Sequence, residues 1–350
     1  MEEIVKGVLK LVGIVLLQTW IEMLFAGAEP DNRIITRTPN ITYDVVQDIS
    51  VDISNGAVSD FMLNIPYPQS NQYQDIEWKT KVPRNLLKPY KESGDQRIFF
   101  TETNCQSVPR MLNRFRARLY RIETDFSKIG KIVPYKKSTR LYKDNIRARE
   151  TRENMKNGWL RDSVQALTKE SGGNPLKYAR CAYAHVVTNF TYGLPPAGEE
   201  SELTRTIKAK KGDCGLLSGV YIALLRAGGI PARLMACLRP IQEEGSCHCW
   251  AEFYLEGYGW FPVDVTFDLG NSPSYRHFGN YDDHTVVMTR GTNFEVASKG
   301  GQKLTMGFVR PFAFGSGTGM GPMARSMFRR ASSARRSSNW PLPFGPIDKW

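Results

Sequence analysis

Between Lys211 and Phe267, three side chains have the types and the order that thiol acyl transfer needs: Cys214, then His248, then Asp264. The cysteine supplies a nucleophile, the histidine moves its proton, and the carboxylate orients the imidazole. Such a set forms a thioester from an amide and hands the acyl group to an amine or to water. It works only if the elements carrying the three bring them to one groove.

Cys214 stands at the start of an apolar helix pattern (Leu217, Val220, Tyr221, Leu224, Leu225) that Gly228-Gly229 and Pro231 bring to an end. A thiol there meets the positive helix pole and its unpaired N–H groups. With an imidazolium nearby, that placement lowers a cysteine pKa from about 8.5 towards roughly 3.5–7.5. The same N–H groups can receive an oxyanion.

The segment CHCWAEFYL alternates and predicts a strand. His248, Trp250, Glu252 and Tyr254 share one face, which is expected to line the substrate cleft, with Trp250 and Glu252 as candidate lining residues. Cys247 and Cys249 fall on the other face and are expected to turn away. That alternation keeps the Cys-His-Cys run from converging on zinc, and no second cysteine pair at structural-zinc spacing follows. No metal or other cofactor is expected. Of the remaining histidines, His185 sits in a helical pattern as a structural residue, and His277 and His284 fall in a polar loop.

Asp264 reaches His248 only in certain hairpin registers. A two-residue Gly257-Tyr258 turn would set it opposite Ala251, on the wrong face. A five-residue loop pairs it with Trp250, in diagonal reach of His248, and a seven-residue loop pairs it with His248 itself. A long loop or a bulge is therefore expected, with Pro262 at an edge.

These residues and their surroundings resemble the core of the transglutaminase-like superfamily. The resemblance rests on Gly212-Asp213-Cys214, RAGGIPAR, His248-Cys249-Trp250-Ala251-Glu252 and Trp260-Phe261-Pro262-Val263-Asp264. NPLKYARCAYAHVVTNFTYG and HFGN flank them, and the likeness spans roughly 155–295. It implies a papain-like α+β core with Cys214 as nucleophile, His248 as base and acid, and Asp264 as orienting carboxylate. Gly215 stands where the animal enzymes carry tryptophan, and their calcium sites and transition-state tryptophan find no match, so the chain is closer to the microbial branch. The implied substrate is a protein or peptide amide. Resolution by an amine gives a transglutaminase and resolution by water a cysteine peptidase or amidase; a catalytically silent binding module is the alternative of another class.

The rest of the chain reads as scaffold. Residues 1–28 contain the apolar run LVGIVLLQTWI and the signal-peptidase-like Ala26-Gly27-Ala28, and predict export or a membrane anchor. An ordinary amphipathic helix in a cytoplasmic protein is the alternative. Strict alternation over 41–54, then Asn55-Gly56 and FMLNI at 61–65, predicts a strand, a tight turn and a return strand. Several short strands before any helix predict a β-sandwich-like domain over 31–126. A charged linker is expected at 127–155, the catalytic core at 156–314, and a basic, Gly/Ser-rich disordered tail at 315–350.

Composition bounds the rest. The chain has 350 residues, 41% of them hydrophobic, enough for a packed core, and a formal net charge of +12. Five arginines of the tail contribute to that charge and suit contact with an anionic surface. No nucleic-acid motif is present, so no nucleic-acid partner is expected. Six cysteines are few for a disulfide framework, and oligomeric state is not legible.

Overall fold

The computed structural model describes residues 34–49, 58–80, 87–89, 96–102, 104–106, 110–147, 149–156, 158–239, 246–270, 272–281, 284–291, 294–297, 303–306, 312–316 and 325–330. The leader at 1–28, the Asn55-Gly56 turn, Asp282-Asp283 and most of the basic tail lie outside them.

The N-terminal half is built from β1 (Ile35–Ile49), β2 (Ser59–Tyr67), β3 (Gln74–Trp78), β4 (Leu87–Pro89), β5 (Gln96–Glu102) and β6 (Met111–Thr124). Burial alternates along β1, with Ile41, Tyr43, Val45, Gln47 and Ile49 inside, as its period of two dictates. β1 and β2 do not form the expected hairpin. β1 pairs with β6, β2 pairs with β5, and the two belong to different sheets. The side-chain amide of Gln47 donates to the Pro66 carbonyl oxygen at 3.2 Å, so β2 lies across the inner face of β1 instead of beside its edge.

The helices follow. The stretch expected as a plain linker carries α1 (Arg140–Ile146) and α2 (Arg149–Lys156). Before them, Ile129, Ile132 and Tyr135 pack on the core, and the Tyr135 hydroxyl donates to the Tyr254 carbonyl oxygen at 2.8 Å. A few apolar anchors in a charged background hold this segment down. Next come α3 (Trp159–Ser171) and α4 (Pro175–Asn189), the latter capped by Asn174 with Pro175 at its first position. A parallel ribbon of β7 (Thr191–Tyr192) and β8 (Lys211–Gly212) encloses α5 (Glu202–Ala209) and leads into α6 (Cys214–Ala227).

α6 is buried by Leu217, Val220, Tyr221, Leu224 and Leu225. It packs on an antiparallel sheet of β9 (Ala232–Arg239), β10 (Ser246–Leu255), β11 (Gly259–Val263) and β12 (Val286–Arg290), in the order β11-β10-β9-β12. Ala251 and Phe253 of β10 face the helices. Trp250, just before them in sequence, packs instead against Tyr73 and Tyr281. The core sheet is therefore covered on its second face by the N-terminal β region. At the edge strand β12, the buried Gln74 side chain donates to the Val287 carbonyl oxygen and accepts from the Val287 N–H, both at 2.8 Å. The class is α+β, helices on an antiparallel sheet with a β-rich N-terminal region, as the sequence predicts.

The chain then returns to its beginning. After β13 (Phe294–Ala297) and β14 (Lys303–Met306), β15 (Phe312–Ser316) pairs with β2 and β16 (Arg325–Arg330) with β1. Expectation placed 315–350 in disorder, yet Arg325–Arg330 is a strand. Its register sets Arg329 opposite Asp44 and Arg325 opposite Asp48. The β region is thus not confined to 31–126. Among the described residues no helix is long and apolar enough to cross a membrane.

Candidate active site

Asp213 caps α6, its carboxylate accepting from the Leu216 N–H at 2.9 Å, so the helix begins at Cys214 and its thiol sits at the positive pole. β10 brings His248 beside that sulfur, and each side chain shifts the pKa of the other. The far ring nitrogen, Nε2, lies 2.6 Å from Asp264 Oδ2. The imidazole therefore bridges sulfur and carboxylate, and the three candidate catalytic residues meet.

The hairpin explains how. Leu255 pairs with Gly259, leaving Glu256, Gly257 and Tyr258 as a three-residue turn with Gly257 and Gly259 at positive φ. This is shorter than the long loop expected. The register is nevertheless the one that aligns Asp264 with Trp250, diagonal to His248, because odd loops of three and five residues share it. β11 is an edge strand, and Pro262, with no N–H to give, pairs there with Glu252. Asp264 leaves the ladder and donates its N–H to the His277 carbonyl oxygen at 3.0 Å. Its other oxygen accepts from the Thr266 N–H at 2.9 Å and hydroxyl at 2.6 Å.

The electrostatics follow from these contacts. The hydrogen bond from Cys249 is the largest influence on Cys214; against burial, it acts with the His248 hydrogen bond and charge to pull the thiol down to about 4. Burial works against a charged His248, but the Asp264 charge and hydrogen bond, with the bond to Cys214, push it up to about 10. Burial alone would raise Asp264; the His248 charge and the Thr266 bonds hold it below the usual carboxylate range. The resting state at neutral pH is a thiolate beside an imidazolium.

Two expectations need correcting. Trp250 and Glu252 do not line an open cleft, being 1% and 0% exposed. The Trp250 ring is fixed by its indole N–H to Cys237 Sγ at 3.0 Å, and Glu252 is bound by Arg233, Tyr73 and Gln72. Side chains on one strand face reach a cleft only where nothing covers the sheet, and here the N-terminal β region does. Nor does Cys249 turn away. It lies on the opposite face from His248, which is the face that α6 covers, and the first turn of α6 carries Cys214. Cys249 Sγ stands 3.8 Å from where a Gly215 Cβ would be.

Three contributors were not read from the sequence. Tyr192 in the β7–β8 ribbon brings its phenol beside Cys214; burial and the charge of the sulfur push its hydroxyl up to about 12. Thr266 anchors Asp264, and Phe267 sets its ring 5.9 Å from that of His248. All three come from short irregular segments without periodicity; the signal for Tyr192 was its place at the end of the flank NPLKYARCAYAHVVTNFTYG. Among the described residues, no group of three or more His, Cys, Asp or Glu side chains is arranged to hold a metal.

Comparison with known proteins gives the following. Residues 162–265 match the family model of the transglutaminase-like superfamily, so this stretch is a transglutaminase-like domain. An uncharacterized protein of Haemophilus influenzae is 34% identical over 123 residues, covering 28% of this chain; the match spans 33% of that relative's length. A candidate cysteine protease from Cytophaga hutchinsonii is similar in structure with a TM-score of 0.48 at 14% identity, over 89% of this chain and 97% of its own. The periplasmic domain of TgpA from Pseudomonas aeruginosa gives 0.39 at 14% identity, over 66% and 91%.

Proposed function

We propose that the transglutaminase-like domain is a thiol acyl-transfer enzyme acting on protein or peptide amides, with Cys214 as nucleophile, His248 as acid and base, and Asp264 as the orienting carboxylate. The observation that carries this reading is the continuous chain of contacts from sulfur to imidazole to carboxylate at a capped helix start. The Cys214 thiolate attacks the carbonyl, and the oxyanion forms beside the Cys214 N–H and the Tyr192 hydroxyl. The His248 imidazolium protonates the departing amine, leaving a thioester and a neutral ring. That ring then takes a proton from the incoming amine or water, and the acyl group leaves the sulfur.

Incubation with a glutamine-containing protein and a labelled primary amine tests the reading. Stable incorporation marks a transferase and new peptide termini a peptidase. Cys214→Ala is expected to abolish either product while keeping a cooperative melt. Activity that survives this substitution overturns the assignment; loss of the fold instead assigns Cys214 to packing.

A further inference from the structure

The Cys214 sulfur has a second thiol against it. Cys249 projects from β10 onto the first turn of α6, its sulfur 3.8 Å from where a Cβ on Gly215, the residue after Cys214, would stand. The two thiols are close enough to shift each other, Cys214 downward and Cys249 upward. The Ser218 hydroxyl holds the Cys249 carbonyl oxygen at 3.4 Å, tying the strand to the helix at this point. Both cysteines are half-buried, so a small oxidant can reach them. The other cysteines are placed differently: Cys237 is buried and takes the Trp250 indole N–H, and Cys247 is exposed.

We propose that Cys214 and Cys249 are a modification site: a reversible disulfide, formed on exposure to a hydroperoxide, that caps the nucleophile. The chemistry balances with the peroxide as oxidant. The Cys214 thiolate attacks the outer peroxide oxygen and the O–O bond breaks. The leaving alkoxide or hydroxide takes a proton from His248, and Cys214 becomes a sulfenic acid. The Cys249 sulfur then attacks the Cys214 sulfur, the S–O bond breaks, and hydroxide leaves with the Cys249 proton as water. Two thiols lose two electrons, and the peroxide gains them. A dithiol reverses the reaction by thiol–disulfide exchange, becoming a disulfide itself. The bridge shields Cys214 from further oxidation to sulfinic acid, which dithiols do not reverse.

As a device controlling turnover, the bridge rests on the function proposed above; as a bond, it does not. The test therefore reads the bond. The full chain is treated with hydrogen peroxide, alkylated, and digested without reductant. Expected are a mass about 2 Da lower, loss of two alkylatable thiols, and a linked peptide pair containing Cys214 and Cys249. Dithiothreitol should restore labelling of Cys214 by a thiol probe. In Cys249→Ala, and in Cys249→Ser if the former folds poorly, Cys214 should instead gain about 32 Da and stay unlabelled after dithiothreitol. A bridge to Cys237 or Cys247, or sulfinic Cys214 in the native chain with Cys249 still alkylatable, overturns the proposal. A chain that bridges but never transfers acyl groups sinks the function and leaves the bridge standing; a chain that transfers but does not bridge does the reverse.

Discussion

Tyr192 sets its phenol beside Cys214; under the proposed function its hydroxyl donates to the oxyanion as the carbonyl is attacked. A donor of that kind contributes most in the transition state. Tyr192→Phe is expected to lower kcat by about 10²–10³ with little change in KM, measured by amine incorporation. The pH dependence belongs to this scale too. Cys214 becomes a thiolate as pH rises through about 4, and His248 loses its proton through about 10. Alkylation of Cys214 by iodoacetamide should therefore climb across the first value, and acylation by substrate should plateau and fall across the second. An acid limb near the ordinary cysteine value would sink this ion pair. Residue types and chain order made Cys214, His248 and Asp264 legible as candidates, because each lies near the end of a periodic element. Tyr192, Thr266 and Phe267 were not legible: no periodicity marks a two-residue strand or a turn, and their roles come from chain folding back onto Cys214.

α6 and the β10–β11 hairpin do the positioning, and each depends on a small local device. The Asp213 cap decides where the helix begins and so where the sulfur sits. Asp213→Ala is expected to cost about 0.5–2 kcal/mol in urea denaturation. It should also slow alkylation of Cys214, because a frayed first turn no longer aims its N–H groups at the thiolate. Unchanged alkylation would mean that another group fixes the turn. The apolar stripe of α6 and the alternation of β10 predicted both elements. The charged stretch at 127–155 misled because Ile129, Ile132, Tyr135 and Tyr142 are too sparse to form a stripe, although each finds a place on the core or on the helix ends. The β1–β2 hairpin misled for another reason. Alternation identifies a strand but not its neighbour, and β6 and β16 take both edges of β1.

Across the whole molecule, Tyr73 and Gln72 of the β region meet the core sheet at the buried Glu252 carboxylate. Glu252 accepts from Arg233 Nε at 2.6 Å and from the Tyr73 hydroxyl at 2.5 Å, and the Arg233 guanidinium stacks over Trp260. Side-chain exposures of 13% for Arg233 and 0% for Glu252 make this a buried pair. Removing one partner leaves the other uncompensated. Glu252→Gln is expected to destabilise the chain by about 3–5 kcal/mol in urea denaturation, with Tyr73 loosened and Cys214 still reactive in the folded fraction. A loss below 1 kcal/mol would mean that water enters the joint. The sequence placed Glu252 on the right strand face but not under a cover, since burial by a distant region leaves no local trace. The Gln74 amide at the margin of the core sheet has a consequence for solubility. By meeting both main-chain groups of Val287, it acts as one rung of a missing fifth strand. A neighbouring polypeptide seeking to anneal along β12 finds that rung taken, so the margin resists accretion there.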